Sequence, residues 1–188
     1  MHMGFFGDSY DIVKQSIIAW LRNFGDWSVH PMLTKEATEQ QIGAFQIFLG
    51  APVICSEVLT KNTNREQYLK CGEVCGNLFL DPDTGICLHQ QHRRSPNYLF
   101  GGELVRLSER RPQALTLVFD QSLARGGERQ ATETKLRKLR DQGFHGFAYL
   151  SHACFIIGGH NEALVRRSFS DLLARSRLPQ NRFILAEE

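Results

Sequence analysis

Residues 77–85 read Asn-Leu-Phe-Leu-Asp-Pro-Asp-Thr-Gly (NLFLDPDTG). A short, uninterrupted apolar run of this kind is the pattern of a parallel strand buried on both faces. The run ends in a bend: Pro82 stiffens the chain, Gly85 permits an unusual turn, and Asp81 and Asp83 leave the same tight corner. The segment therefore predicts a buried parallel strand that delivers polar residues at its carboxyl end. In open parallel sheets that is where ligands bind.

Working downstream, GGELVRLSERR (101–111) has helical spacing and ALTLVFDQS (114–122) is a second buried strand with polar residues at its end. ERQATETKLRKLRDQG (128–143) is a charged helix closed by Gly143. FHGFAYLSHACFIIGG (144–159) gives two β-rich runs in succession, a hairpin with its turn near Ser151-His152. NEALVRRSFSDLLARSR (161–177) is a last amphipathic helix through Val165, Phe169, Leu172 and Leu173, and RFIL (182–185) a final edge strand. Cys87 to Phe100 is polar and contains proline, so it reads as a loop.

Upstream, DSYDIVKQSIIAWLRNF (8–24) repeats Val13, Ile17, Trp20 and Leu21 at helical spacing, with Ser9 as cap and Gly25 as stop. WSVHPML (27–33) is a short strand that Pro31 confines to an edge or an irregular end. KEATEQQIGAFQIFLG (35–50) is a helix ended by Gly50 and Pro52. VICSEVL (53–59) is a short strand or a loop, and NREQYLKCGEVCG (64–76) adds a helix. Setting Met1-His2-Met3 aside, residues 4–188 form one α/β domain. The expected architecture is a single Rossmann-like layer with a mainly parallel sheet, flanking helices and a C-terminal β-hairpin.

Composition bounds the rest. The chain has 188 residues, 42% hydrophobic and 22% charged, which excludes disorder, collagen and coiled coil. Its apolar runs fall short of the ~20 residues a bilayer requires, and no basic-then-apolar leader opens the chain. Five cysteines at unpatterned spacings suit reduced thiols, so the expected place is the cytoplasm, with no membrane partner. The formal charge of +2 conceals an asymmetry. Up to His92 there are 6 Lys and Arg against 10 Asp and Glu, and from Arg93 onward 16 against 10, so −4 is followed by +6. A basic half attracts phosphates, which makes nucleic acid the expected macromolecular partner.

Three clusters carry chemistry. Asp81 and Asp83 stand at the first strand end with Gly85. Gln121 and Arg125 follow Asp120 at the second. Asp8, Asp11 and Lys14 recur at spacings of three and share one face of the opening helix. If that face lies against the Asp81–Asp83 bend, Asp8, Asp11, Asp81 and Asp83 would hold Mg²⁺ or Mn²⁺, with Lys14 neutralising a phosphate. Cys71, Cys75, Cys87, His89 and His92 can also be written as a zinc set, although the spacing between Cys71 and Cys75 is wider than a zinc knuckle uses. Gly101-Gly102 and Gly126-Gly127 lack the partners of a phosphate-cradling loop.

The succession GFFGDSYDIVKQSIIAWL, VHPMLT, LFLDPDTGI, TLVFDQSLARG resembles a family of uncharacterised bacterial and phage proteins. That family shows a Gly-Asp-x-x-Asp-x-x-Lys opening and an Asp-Pro-Asp-[Asn/Thr]-Gly strand end, and carries no established activity. More remotely, the layout is similar to S-adenosylmethionine-dependent methyltransferases that modify adenine in ribosomal RNA. There an Asp-x-x-Lys helix precedes the sheet, an Asp-Pro-Pro-Tyr motif ends the fourth strand, and a hairpin followed by a helix closes the fold. The resemblance implies that Asp11 and Lys14 match the opening element and Asp81 and Pro82 the catalytic motif, Asp81 accepting a hydrogen bond from a target amine. The chain departs from that pattern at two places. His30-Pro31-Met32-Leu33-Thr34 stands where a glycine-rich cofactor loop would be, and Asp83-Thr84 replaces Pro-Tyr.

Three functions are expected on these grounds: a methyltransferase-like protein acting on or binding nucleic acid, a metal-dependent phosphodiesterase or nuclease, and a non-catalytic nucleic-acid-binding or assembly module.

Overall fold

The computed structural model describes residues 3–72, 74–89, 95–123 and 126–185. In chain order the elements are α1 (Ser9–Trp20), β1 (Trp27–His30), α2 (Glu39–Leu49), α3 (Arg65–Leu69), β2 (Asn77–Leu80), β3 (Gly85–Cys87), β4 (Tyr98–Phe100), α4 (Gly101–Glu109), β5 (Thr116–Asp120), α5 (Glu128–Arg140), β6 (His145–Leu150), β7 (Cys154–Gly159), α6 (Glu162–Ser176) and β8 (Phe183–Leu185).

Six strands form one sheet in the order β1-β2-β5-β7-β6-β8. β1, β2 and β5 pair in parallel, whereas β7 is antiparallel to β5 and β6, and β8 is antiparallel to β6. Four strands thus run one way and two the other, so the sheet is mixed. The reason lies in connection length: helices carry the chain back between β1, β2 and β5, but Ser151–Ala153 is too short for anything except an antiparallel return. β1 sits at an edge of the sheet and ends at His30, one residue before Pro31; its outer side is covered, Val29 donating to Pro52 O (2.8 Å) and accepting from Ile54 N (2.9 Å).

Both faces of the sheet are apolar, and the two-residue alternation sorts them. Phe79, Leu117, Phe119, Phe155, Ile157 and Phe183 point to the face covered by Ile17 and Ile18 of α1, Phe45 and Leu49 of α2, and Leu172 of α6. Leu78, Leu80, Val118, Ile156 and Ile184 point to the face covered by Tyr68 of α3, Leu104 of α4, and Leu136 and Leu139 of α5. No helix among the described residues is long and apolar enough to cross a membrane.

Three local expectations change. Asp8, not Ser9, caps α1: its backbone is extended and its Oδ1 accepts from Tyr10 N (2.8 Å) and Asp11 N (3.1 Å). The helix ends at Trp20, and a 3₁₀ turn over Arg22–Phe24 intervenes before Gly25. The segment from Cys87 to Phe100, whose polar composition suggests a loop, contributes edge residues to a small second sheet, in which β3 and β4 pair in parallel.

Candidate functional site

The carboxyl ends of β1, β2 and β5 are stitched together by backbone. Asp81 N donates to His30 O (3.1 Å) and Gln121 N to Thr84 O (2.8 Å). Alternation then decides what each strand delivers. Asp81 follows Phe79 onto the α1 face, and Asp120 follows Val118 onto the α5 face. Each carboxylate meets a lysine from the helix that covers its face.

On the α1 side, Lys14 Nζ donates to Asp11 Oδ1 (2.9 Å) and to Asp81 Oδ2 (3.0 Å), and stands 4.2 Å from the centre of the Phe119 ring. Asp11 is held in turn, its Oδ2 accepting from Gly7 N (2.8 Å). All three side chains are out of solvent, with Asp11 2%, Lys14 4% and Asp81 1% exposed. Burial works to lower the Lys14 pKa, but the charges of Asp81 and Asp11 override it and hold the ammonium above its ordinary value. Burial pushes the Asp81 carboxyl up, against the pull of Lys14.

On the α5 side, Lys135 Nζ donates to Asp120 Oδ2, to Ser122 Oγ (2.8 Å) and to Ile86 O (2.9 Å). Asp120 Oδ1 accepts from Ser122 N (2.9 Å), Ser122 Oγ (2.7 Å) and Ile86 N (3.3 Å). Asp120 is wholly buried and Lys135 6% exposed. Gly85 makes this arrangement possible. Its φ of 130° is in the region that favours glycine, and a Cβ there would overlap Asp120 Oδ1.

The structure thus brings Asp11, Lys14 and Asp81 together, and gives the other predicted site residues separate tasks. Asp8 caps α1. Half-buried Asp83 accepts from Asn97 Nδ2 (3.0 Å). Gln121 is exposed and uses its backbone to join the two strand ends. Gly85 seats Asp120, and Arg125 lies outside the described residues. Among the described residues no group of three His, Cys, Asp or Glu side chains is arranged to hold a metal ion. Of the zinc set, Cys71 and Cys75 are exposed and Cys87 Sγ donates to His89 O (3.3 Å), while His92 lies outside the described residues.

No family model, curated protein or solved structure matches this chain.

The chemistry of the strand ends is that of closed ion pairs. Asp81 and Asp120 each give Oδ2 to a buried lysine, and both carboxylates are out of solvent. His30, at the end of β1, is also closed off: its Nε2 lies 3.4 Å from Tyr68 O, and burial lowers its pKa to about 4, so it is neutral. Met32 adopts φ 47°, a left-handed conformation rare for a side-chain-bearing residue, in a fully buried position. Motif spacing does not single out Lys135. Its signal is its position between Thr132 and Leu139, on the apolar stripe of a charged helix where a lysine requires a buried partner.

Proposed function

We propose that this protein is a non-catalytic nucleic-acid-binding module on an α/β scaffold of methyltransferase-like layout. In this reading the strand-end carboxylates hold the scaffold together and the basic C-terminal half makes the contact. The observation that carries it is the enclosure of Asp81: it is 1% exposed and its Oδ2 is bonded to Lys14, so the carboxylate is out of reach of a target amine or a hydrated Mg²⁺ arriving from solvent. The layout itself supports the relation. An Asp-x-x-Lys helix lies against an Asp-Pro strand end, and a hairpin followed by a helix comes late in the chain.

The cations favour a polyanion. Among the described residues Arg137, Lys138, Arg167, Arg177 and Arg182 are exposed and join no salt bridge. Such charges bind phosphates by releasing counterions, so affinity falls with salt. The test is fluorescence anisotropy with labelled RNA and DNA over a salt series, beside calorimetry with S-adenosylmethionine. Expected are salt-sensitive binding that Asp83→Asn leaves unchanged and no heat with the methyl donor. Absence of binding at low salt would end the reading, and methyl transfer to the oligonucleotide would replace it with the enzymatic one.

A further inference from the structure

The sheet has two edges, and they are treated differently. The outer side of β1 is covered by Pro52–Ile54. The outer side of β8 pairs with no strand among the described residues, and two clefts meet along it. The first, about 780 Å³, runs between β8 and α5 and is polar: Arg129, Gln130, Arg137, Arg140, Gln180 and Asn181 line it. The second, about 740 Å³, lies between the β6–β8 edge and α6, with half-buried Phe169 and exposed Leu185 at its surface over the buried Phe147 and Val165. Arg140, Phe169 and Leu185 belong to both, so the clefts form one continuous groove. Leu185, at the junction, is 47% exposed.

The groove is cationic. Arg129, Arg137, Arg140 and Arg166 stand against Glu133 and Glu162. Both glutamates are already compensated, Glu133 by Arg129 (3.3 Å) and Glu162 by Arg166 (2.6 Å), with His145 Nδ1 3.7 Å from Glu162. Arg137 is exposed and has no acidic partner among the described residues. A rail of guanidinium groups beside an apolar, aromatic-walled hollow is a two-part receptor. The rail takes anions at intervals and the hollow takes a flat apolar body.

We infer that this groove binds single-stranded nucleic acid, with the phosphate backbone along Arg137 and Arg140 and an unstacked base against Phe169 and Leu185 in the hollow. The inference rests on the nucleic-acid reading above and gives it a place and a substrate class. A duplex offers phosphates to the rail but keeps its bases stacked inside, which leaves the hollow unused; a single strand satisfies both parts. An acidic peptide added to β8 would also meet the arginines, but the edge is poorly suited to it. β8 has three residues, and Arg129 already donates to Phe183 O (3.4 Å) and Asn181 O (3.1 Å). The groove runs along exposed residues of α5, the helix whose buried Lys135 makes one strand-end ion pair, and continues toward the opposite end of the sheet. It includes His145, the first residue of β6, and β6 runs in the same direction as β2 and β5, which carry the ion pairs at their far ends.

The experiment compares labelled single-stranded RNA and DNA, the matching duplexes and a polyglutamate peptide on the wild-type chain and three variants. Arg137→Glu alters the rail, Leu185→Glu places a charge at the mouth of the hollow, and Lys61→Glu makes the same charge change as Arg137→Glu at an exposed turn outside the groove and outside the basic half. The expected result is preference for single strands. Leu185→Glu should lower affinity about tenfold, the worth of one base contact. Arg137→Glu should reduce the slope of log K against log salt by about 0.7 for each phosphate lost, and Lys61→Glu should bind like wild type. Circular dichroism verifies that each variant is folded. If wild type binds but Leu185→Glu and Arg137→Glu bind as well as it does, the groove is wrong and the nucleic-acid reading survives. Equal affinity for duplex overturns the base hollow. Binding of polyglutamate alone overturns both in favour of a protein partner, and no binding of any probe removes both.

Discussion

Replacing Lys14 by Met isolates the role of the buried triad. Methionine fills much the same volume, so the change removes an ammonium and leaves Asp11 and Asp81 facing each other at 2% and 1% exposure. Breaking a buried pair in this way costs about 3–5 kcal/mol. The loss of the contact with Phe119 at 4.2 Å lies within that range. With an unfolding entropy of about 2.1 cal/mol/K per residue, a chain of 188 residues loses about 0.4 kcal/mol per degree, so the melting midpoint should fall by about 8–13 °C. The pH dependence separates this cause from a packing defect. The Lys14 pKa is raised in the folded state, so its contribution is complete below its ordinary 10.5 and constant across the acid range. The Asp81 carboxyl is raised from 3.8, so the native state binds that proton more tightly than the unfolded chain, and charging it works against folding as the pH climbs. Without Lys14 the value rises further. The deficit of Lys14→Met should therefore be largest near about pH 7 and shrink toward about pH 5, and Lys14→Met/Asp81→Asn should recover about 1–2 kcal/mol. Chemical denaturation at both pH values measures it. A deficit under about 1 kcal/mol, or one that ignores pH, would refute the triad as a structural ion pair.

Gly85→Ala should destabilise by at least about 2 kcal/mol, because the new Cβ meets Asp120 Oδ1 at a φ of 130°; a urea midpoint equal to wild type would mean that the β2–β3 bend relaxes freely. His30 is held near 4 from an ordinary 6.5, so the unfolded chain takes up its proton first and stability should drop by about 3 kcal/mol as pH falls through that interval. His30→Gln should flatten the drop, and an unchanged acid limb would exclude His30 as its source. Under native conditions a thiol reagent should label exposed Cys71 and Cys75 first and spare Cys154, whose buried thiol is pushed up to about 12 beside Asp120. Mass mapping that finds Cys154 among the first modified would contradict the packing around β7.

The order of elements was legible because the signals were local. Asp-Pro-Asp-Thr-Gly after four apolar residues, Gly50 after a helical stripe, and two β-rich runs around Ser151-His152 each act within a few residues, and each appears where expected. The site was half legible. Spacings of three put Asp11 and Lys14 on one face, and that face does lie against Asp81. The sequence could not show that Lys14 would turn inward to meet both carboxylates, because it is enclosed by Phe119 and Phe79, whose ring centres stand 4.2 and 5.9 Å from its ammonium and which come from strands far along the chain. For the same reason Asp83 reads as the equal of Asp81 in sequence, yet it falls two residues on, past the end of the strand, and bonds Asn97.

The two ion pairs also explain why the recognition surface would lie elsewhere. In register Leu80 stands opposite Val118, so Asp81 falls opposite Phe119 and Asp120 comes one position later. One residue of offset sends the two carboxylates to opposite faces of the sheet. α1 answers one with Lys14 and α5 answers the other with Lys135, so adjacent central strands are pinned at the same end from both sides. That is a stabilising design only if neither carboxylate has to open for a substrate, since exposing either would leave a buried lysine unpaired at a cost of several kcal/mol. A ligand is accommodated at lower cost along β8, whose outer side pairs with no strand among the described residues and where α5 presents exposed Arg137. If Lys14→Met and Lys135→Met lower stability while the folded fraction keeps wild-type affinity for single strands, the two ends of the sheet are independent. Parallel loss of affinity in the folded fraction would instead place the strand ends within the binding surface.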